Sequence, residues 1–216
     1  MYLEKLIFIR EFFNYNSENE VIFISIPESK KYTYADYMNW DEDVYIEVIE
    51  GEMISMSPSP TPRHQDVVGE LTAEFKMFLR GKDCMAFSTP MDVCLFADNE
   101  AKYEDIQDWV QPDLIVVCDK KKIRETNITG APDLVVEVLS PSTARNDRWV
   151  KFNSYEKAGV REYWIVDPYN MSIEVYELNG NSFKQTGVYG KDGLLPVGIF
   201  PEFKIDLKNI FKELGL

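Results

Sequence analysis

The chain has 216 residues, of which 45% are hydrophobic and 13% aromatic, and its formal net charge is −14 at pH 7. This composition is typical of a folded acidic protein with one sizeable core, and it excludes a disordered chain. The charge argues against broad electrostatic adhesion to nucleic acid or anionic membranes, but it is compatible with a local basic groove or with a metal that offsets clustered carboxylates.

The cysteine and hydropathy patterns predict a cytoplasmic protein that does not span a membrane. The cysteines are odd in number and form no close pair in the sequence, so we expect neither a disulfide framework nor a zinc knuckle; they are Cys84, Cys94 and Cys118. Charged residues interrupt the apolar N-terminus, which therefore differs from a signal peptide. No apolar run approaches the ~20 residues that cross a bilayer.

Residues 1–32 are expected to form a peripheral extension, and residues 33–216 a single domain. The domain opens with Thr33-Tyr-Ala-Asp36, a capping box with Asp in place of Glu, which predicts a short helix through Trp40. Within the extension, the pattern predicts a short helix and a short strand, at Leu6–Phe13 and Val21–Ile26.

Apolar periodicity predicts the remaining elements of the domain. The expected helices are His64–Leu79, which follows a proline-rich loop, and Asp147–Lys157, which ends at Gly159. At least one strand is expected within Met85–Phe96, and the other expected strands are Val44–Ile49, Met53–Met56, Leu114–Cys118, Asp133–Leu139, Tyr163–Val166, Ile173–Leu178, Phe183–Val188 and Lys204–Leu207. These elements predict one α/β domain with a mixed sheet.

The most informative strand carries a carboxylate between apolar residues. Asp133–Leu139 is apolar on both faces, which predicts a strand covered on both sides, yet Glu137 lies in its middle. A buried carboxylate is costly unless a cation, a metal or several donors meet it. Glu137 therefore needs a partner; an arginine or backbone donors would also satisfy it, and that structural role stays open.

Asp113 is the carboxylate that can converge with Glu137 on one metal ion. Asp133 lies four residues away on the same strand, about 13 Å along the sheet, which is too far to share an ion. Asp113 begins a different strand, which can lie beside the first at about 4.8 Å. Two carboxylates without a nearby Cys or His favour Mg²⁺ or Mn²⁺ over zinc.

The helix after the Glu137 strand offers a cation and two further polar groups. Lys151 lies near its start, and Asp147 and Tyr155 lie four residues to either side, so the three share one helical face. An ammonium there can stabilise charge on a phosphate or orient a metal-bound water, although Lys151 could equally be a solvated residue paired with Asp147. Arg145 and Arg148 flank this site and are candidates for phosphate contact.

Several phrases of the sequence resemble a known nuclease family. An Asp, a Glu on a neighbouring strand and a nearby Lys are similar to the PD-(D/E)-x-K nuclease superfamily. SPSPTPRHQ, QPDLIVVCD, GAPDLVVEVLSPST and KAGVREYWIVDP resemble the Uma-type putative restriction endonuclease family over about residues 33–207. The superfamily lysine falls two residues after the Glu, where this chain has Leu139, so the resemblance implies that Lys151 is a relocated catalytic lysine.

The resemblance implies a restriction-endonuclease-like core, with a central mixed sheet, flanking helices and extra β-hairpins. It also implies that Asp113 and Glu137 hold Mg²⁺ or Mn²⁺ for hydrolysis of DNA, with Lys151 as the third catalytic residue. Possible supporting residues are His64, the only histidine, which can cap its helix or reach the cleft, together with Tyr155 and the carboxylates Glu50, Glu70 and Asp147. The alternative is a non-catalytic nucleic-acid or protein interaction module that keeps the fold.

A homodimer is the expected assembly. One metal cleft nicks one strand, whereas two clefts related by two-fold symmetry can cleave both. The N-terminal segment also carries apolar residues that would be a liability if uncovered, namely Ile7, Phe8, Phe12 and Phe13.

Overall fold

The computed structural model describes residues 31–40, 46–55, 60–141 and 143–212. The helix and strand expected within residues 1–30 lie outside these described residues, as does most of the proline-rich loop. The elements given below all belong to one compact unit, Tyr32–Leu216.

Local sequence signals set the helix boundaries. The helices are Tyr34–Tyr37 (α1), Pro62–Phe78 (α2), Phe152–Ala158 (α3) and Leu207–Ile210 (α4). The predicted capping box at α1 is present, because the Thr33 hydroxyl accepts from the Asp36 amide and the Asp36 carboxylate accepts from the Thr33 amide. Gly159 ends α3 with a φ of 89°, a conformation that glycine adopts without a Cβ penalty. Within the described ranges, no helix is long and apolar enough to cross a membrane.

A six-stranded mixed sheet forms the centre of the domain. The strands of the domain are Ile46–Ile49 (β1), Glu52–Ser55 (β2), Met85–Ser88 (β3), Val93–Cys94 (β4), Leu114–Val117 (β5), Ile128–Thr129 (β6), Leu134–Val138 (β7), Glu162–Asp167 (β8), Ser172–Asn179 (β9), Ser182–Gly190 (β10), Leu194–Val197 (β11) and Phe200–Asp206 (β12). The order of the central sheet is β10-β9-β8-β7-β5-β3; β7 and β8 run parallel, and the other neighbours are antiparallel. The strands outside the central sheet form three pairs, β1–β2, β4–β6 and β11–β12.

The two faces of the central sheet pack against different layers. On one face, Val136 and Trp164 contribute to a core with Phe75 of α2. On the other, Val135 and Tyr163 pack in a core that includes Tyr155 of α3. All five residues of β7 are buried, as the apolar pattern on both of its faces predicts.

Several elements differ from the expectation, and β6 and α4 were not expected at all. The helix expected over Asp147–Lys157 consists of a π-helical segment, Asn146–Lys151, followed by α3. The strand β11 was not expected, because it is only four residues long and contains a proline. It lies between an exposed turn and β12, with which it pairs.

The expectation for the cysteines was wrong. Cys84 and Cys118 form a disulfide with an S–S distance of 2.07 Å, and the third cysteine, Cys94, is free and buried. The pair directly follows Met85↔Val117 in the β3–β5 register. Because 34 positions separate the two cysteines, only the pairing of the strands brings them together, and the sequence spacing alone could not show it.

Candidate active site

One edge of the central sheet gathers the predicted carboxylates. The parallel strands β7 and β8 end there, and the antiparallel β5 begins there. The register pairs Leu114 with Val136, so Asp113 lies beside Glu137 one step further along. The Asp113 carboxylate accepts a hydrogen bond from the Val138 amide at 2.7 Å, which fixes it against β7. The side chain of Asp113 is 15% exposed, whereas Glu137 is 3% exposed.

The helical residues that follow β7 in the chain donate hydrogen bonds to Glu137. Its Oε1 atom accepts from the Tyr155 hydroxyl at 2.5 Å and from the Lys151 ammonium at 3.0 Å. Tyr155 lies on α3, and Lys151 is the last residue of the π-helical segment. The partner that a buried glutamate requires is therefore a lysine together with a tyrosine.

Lys151 points inward and contacts three carboxylates. Besides Glu137, its Nζ lies 2.8 Å from Glu47 Oε1 and 3.7 Å from Asp147 Oδ1. The π-helical segment that carries it is a rare geometry, and such turns occur often at functional sites. The Tyr163 hydroxyl donates to the Asp147 carbonyl at 3.0 Å and ties this segment to β8.

Glu47 is a member of the cluster that sequence reasoning missed. Mutual backbone hydrogen bonds of 2.8 Å between Val48 and Trp109 attach β1 to the chain that leads into β5. This attachment places the Glu47 carboxylate where it accepts from the Gln111 amide at 2.8 Å and meets Lys151. The signal that identified Glu137, a carboxylate within an apolar strand, also marks Glu47 in Ile46–Ile49.

His64 reaches the other side of Asp113. Thr61 caps α2 by accepting from the His64 amide, and the imidazole Nε2 lies 3.3 Å from Asp113 Oδ2. The opposite nitrogen, Nδ1, is buried without a hydrogen-bond partner among the described atoms. Burial opposes protonation of this imidazole, but its hydrogen bond and charge interaction with Asp113 outweigh burial and raise the pKa of His64.

The electrostatics of the cluster are dominated by burial and by an excess of carboxylates. Burial raises the pKa of Glu137, although the charge of Lys151 lowers it. Burial also raises the pKa of Asp147 to about 6. For Lys151, burial opposes the charged form, but Glu137 and Glu47 raise its pKa, so the ammonium stays protonated. Glu47, Glu137 and Asp147 thus share one buried cation.

The other candidate residues lie outside this cluster. Glu50 is exposed and lies 3.4 Å from Lys157, and Glu70 pairs with Lys212 beside α4; neither is brought to the carboxylates. Arg148 pairs with Glu174 at 2.7 Å, and Arg145 is exposed at the start of the π-helical segment. Asp133 lies at the far end of β7, where it pairs with Arg161.

The donor set fits a hard divalent cation. The oxygen ligands of Asp113 and Glu137 are those that Mg²⁺ and Mn²⁺ prefer, and Mg²⁺ commonly uses one or two carboxylates and keeps several waters. The Asp147 Oδ1 atom is buried without a hydrogen-bond partner and lies 3.7 Å from the Lys151 ammonium, which Glu47 and Glu137 share. Over the described residues, no group of three or more His, Cys, Asp or Glu side chains is already arranged as a metal site.

Comparisons with known proteins agree with the sequence resemblance. The sequence model of a family described as "Uma2: Putative restriction endonuclease" matches residues 34–208. Two uncharacterized proteins of Synechocystis sp. are similar to the chain. The first, slr1290, is 28% identical over 152 residues, which cover 69% of this chain and 75% of that protein. The second, sll1609, is 24% identical over 161 residues, which cover 72% and 86%.

A solved structure shares the fold. The crystal structure of a putative nuclease of the DUF820 group from Anabaena variabilis superposes with a TM-score of 0.65 at 23% identity, and the match covers 83% of this chain and 97% of that chain. The expected nuclease-like α/β core with a central mixed sheet and added hairpins is therefore confirmed.

Proposed function

The chain belongs to the Uma2 family of putative restriction endonucleases, and from this premise we propose that it is a Mg²⁺-dependent endonuclease that hydrolyses phosphodiester bonds in DNA. The observation that supports this proposal best is the convergence of Asp113, Glu137 and Lys151 at one edge of the sheet. Asp113 carries the solvent-accessible side of this centre, since its side chain is 15% exposed.

In the proposed mechanism, Asp113 and Glu137 would hold Mg²⁺ or Mn²⁺. When bound, the ion supplies Lewis-acid chemistry, which lowers the pKa of a water and polarises the phosphate. Tyr155 orients Glu137 by donating to its Oε1 atom, and the backbone amide of Val138 orients Asp113. Lys151, protonated and already aligned by Glu47, offsets the negative charge that grows on the phosphate.

The groups around this centre have supporting roles in the proposal. His64 holds a proton near Asp113 and can pass it to or from a reacting oxygen. Arg145, exposed at the start of the π-helical segment, contacts a neighbouring phosphate. Glu47 and Asp147 keep Lys151 in place and do not touch the substrate.

Cleavage of circular DNA tests the proposal. Circular plasmid and circular single-stranded DNA are incubated with the purified protein in Mg²⁺, in Mn²⁺ and in EDTA. We expect cleavage with either metal and none in EDTA. Asp113→Asn and Glu137→Gln keep the side-chain shapes but weaken metal binding, so each should lose activity by orders of magnitude.

A control variant and a metal-binding measurement distinguish cleavage by this site from cleavage by a contaminating nuclease. Glu70→Gln alters a carboxylate outside the cluster and should retain activity. Mn²⁺ should raise the melting temperature of the unaltered protein but not that of Asp113→Asn, because a ligand that binds only the folded state stabilises it. Equal cleavage by Asp113→Asn, or none with either metal, would overturn the proposal.

A non-catalytic interaction module is the second candidate. The observation in its favour is that Lys151 already neutralises Glu137, which is 3% exposed. Such a module would show no stabilisation by Mn²⁺ and no cleavage, whereas a nuclease shows both.

We further propose that residues 33–216 form the catalytic domain, with residues 1–32 as an extension, in a cytoplasmic homodimer. Two copies would present two centres, each acting on one strand. Light scattering at micromolar concentration should give twice the 25.1 kDa chain mass. A monomer mass would contradict the dimer.

A further inference from the structure

Two exposed aromatic side chains lie on segments that leave the edge of the central sheet where the proposed active site is found. Trp149 is 71% exposed and Tyr169 is 52% exposed. Trp149 lies two residues before Lys151, in the π-helical segment that follows β7. Tyr169 lies in the turn that follows β8. Both segments leave the edge of the sheet where Glu137 and Asp113 meet.

The turn that carries Tyr169 is held against the site. The Asp167 carboxylate accepts from the backbone amides of Tyr169 and Asn170 at 3.0 and 2.9 Å. The guanidinium carbon of Arg63 lies 5.8 Å from the centroid of the Tyr169 ring. Arg63 directly precedes His64, whose ring contacts Asp113, so Tyr169 is tied to the Asp113 side of the centre.

Arg148 links the two aromatic segments. It directly precedes Trp149, and its guanidinium lies 2.7 Å from Glu174 on β9. The β8–β9 register pairs Glu174 with Ile165, near the turn that presents Tyr169. Trp149 and Tyr169 thus lie on two segments that follow neighbouring parallel strands and leave the same edge of the sheet.

The charge of the protein makes these rings significant for substrate binding. Duplex DNA is bound mainly through its phosphates, and a chain with a net charge of −14 is poorly suited to that mode. Stacking of bases on aromatic side chains adds about 1–3 kcal/mol per base to the phosphate contacts, but it needs bases whose faces are unpaired and accessible.

We propose that Trp149 and Tyr169 form a base-stacking site, and that DNA with unpaired bases is the preferred substrate of the centre. This inference rests on the proposed nuclease function for its substrate. Bases stack on the exposed rings of Trp149 and Tyr169, and the guanidinium of Arg63 steadies the Tyr169 ring. The nearby arginines need to contact only a few phosphates, because the bases contribute the remaining affinity.

Binding in EDTA tests the inference without cleavage. Fluorescence anisotropy compares a labelled single strand of about 16 nucleotides with a blunt duplex of the same sequence. We expect the single strand to bind more tightly. Trp149→Ala and Tyr169→Ala should each weaken single-strand binding roughly 5- to 150-fold, the range that loss of one stacked base predicts. Trp149→Phe should restore most of the affinity.

Met77→Ala is the matched control. Met77 is 68% exposed on α2, about 20 Å along the helix from His64, and should bind DNA like the unaltered protein. Tighter binding of the duplex, or equal affinities for Trp149→Ala and Met77→Ala, would overturn the inference while leaving metal-dependent cleavage untouched. Loss of binding in Trp149→Ala without any cleavage by the unaltered protein would overturn the nuclease function and support the stacking site.

Discussion

Lys151 is the cation that three buried carboxylates share. Its ammonium contacts Glu47, Glu137 and Asp147, all of which are at most 4% exposed. Removal of one partner from such a group leaves uncompensated buried charge, which is strongly destabilising. At the scale of a single residue, the proposed catalytic lysine is therefore also a structural counter-ion.

We expect Lys151→Ala to lower the free energy of unfolding by about 3–5 kcal/mol at neutral pH. Urea denaturation measures this loss. Lys157→Ala is the control, because Lys157 is an exposed residue of α3 whose contact with Glu50 is worth at most about 1 kcal/mol. Added Mn²⁺ should restore part of the stability of Lys151→Ala by replacing the missing charge. Equal losses in the two variants would contradict a buried counter-ion.

Asp147 gives the cluster a pH dependence of defined sign. Its pKa in the folded protein is raised from 3.8 to about 6, mainly by burial. Between these values, the folded protein binds a proton that the unfolded chain has released, so its stability falls as the pH rises through that window. The contribution of this residue to the loss is about 2–3 kcal/mol.

Asp147→Asn should remove that contribution. Urea denaturation of both proteins between pH 4 and 7 gives two curves of unfolding free energy. We expect the unaltered protein to lose stability relative to Asp147→Asn as the pH rises, with most of the difference appearing by about pH 6. Parallel curves would show that Asp147 does not titrate in this window.

At the scale of elements, the sheet and the main helices were predictable because their signals are local. The Thr33–Asp36 capping box and the apolar pattern of β7 depend on residues near one another in sequence. Glu137 was predictable for the same reason, since a charge within an apolar strand is conspicuous. Glu47, which shares Lys151 with Glu137, carries a similar signal but was not predicted, because a glutamate in a hairpin strand can equally face solvent. The attachment of β1 to Trp109 is what buries it.

Glu162 of β8 is hydrogen-bonded to the turn between β11 and β12, at Gly198 and Ile199, and we call this contact the clamp. It also depends on tertiary contacts. The carboxylate of Glu162, which is completely buried, accepts from the amides of Gly198 and Ile199 and from the indole of Trp164 at 2.8–3.0 Å. A Cβ at position 198 would lie 3.0 Å from Glu162 Oε2 and 2.9 Å from Glu177 Oε1. The Glu162 side chain cannot move away from such a Cβ without losing its hydrogen bonds.

Gly198→Ala should therefore destabilise the protein by about 1–3 kcal/mol, as expected for overpacking at a closely packed position. Gly69→Ala is the control with the opposite expected sign. Gly69 lies on an exposed part of α2, and a Cβ there would meet no atom within 4 Å. It should stabilise the helix by up to about 1 kcal/mol. Differential scanning calorimetry compares both variants with the unaltered protein. A neutral or stabilising Gly198→Ala would show that the clamp relaxes at little cost.

For the whole molecule, the disulfide bears on the proposed cytoplasmic location. Stable disulfides are rare in a reducing cytoplasm, whereas Cys84 and Cys118 are paired in this structure. Their bond joins the edge strand β3 to β5 and closes the segment that holds β4 and the acidic loop leading to Asp113. In the cytoplasm we expect the dithiol form to be populated, with the strands held by their backbone pairing alone.

The effect of the disulfide on the whole fold can be measured directly. A cross-link between residues 34 positions apart limits the unfolded chain and contributes up to about 4 kcal/mol of stability in the chain-entropy account. Dithiothreitol should therefore lower the urea midpoint of the unaltered protein. Cys118→Ser should unfold at that lower midpoint with or without the reductant, because Cys84 then lacks the cysteine it pairs with and the remaining thiol, Cys94, is buried in the folded protein. If dithiothreitol does not change the urea midpoint of the unaltered protein, the disulfide does not form in solution. The disulfide would then be no argument against the proposed cytoplasmic location.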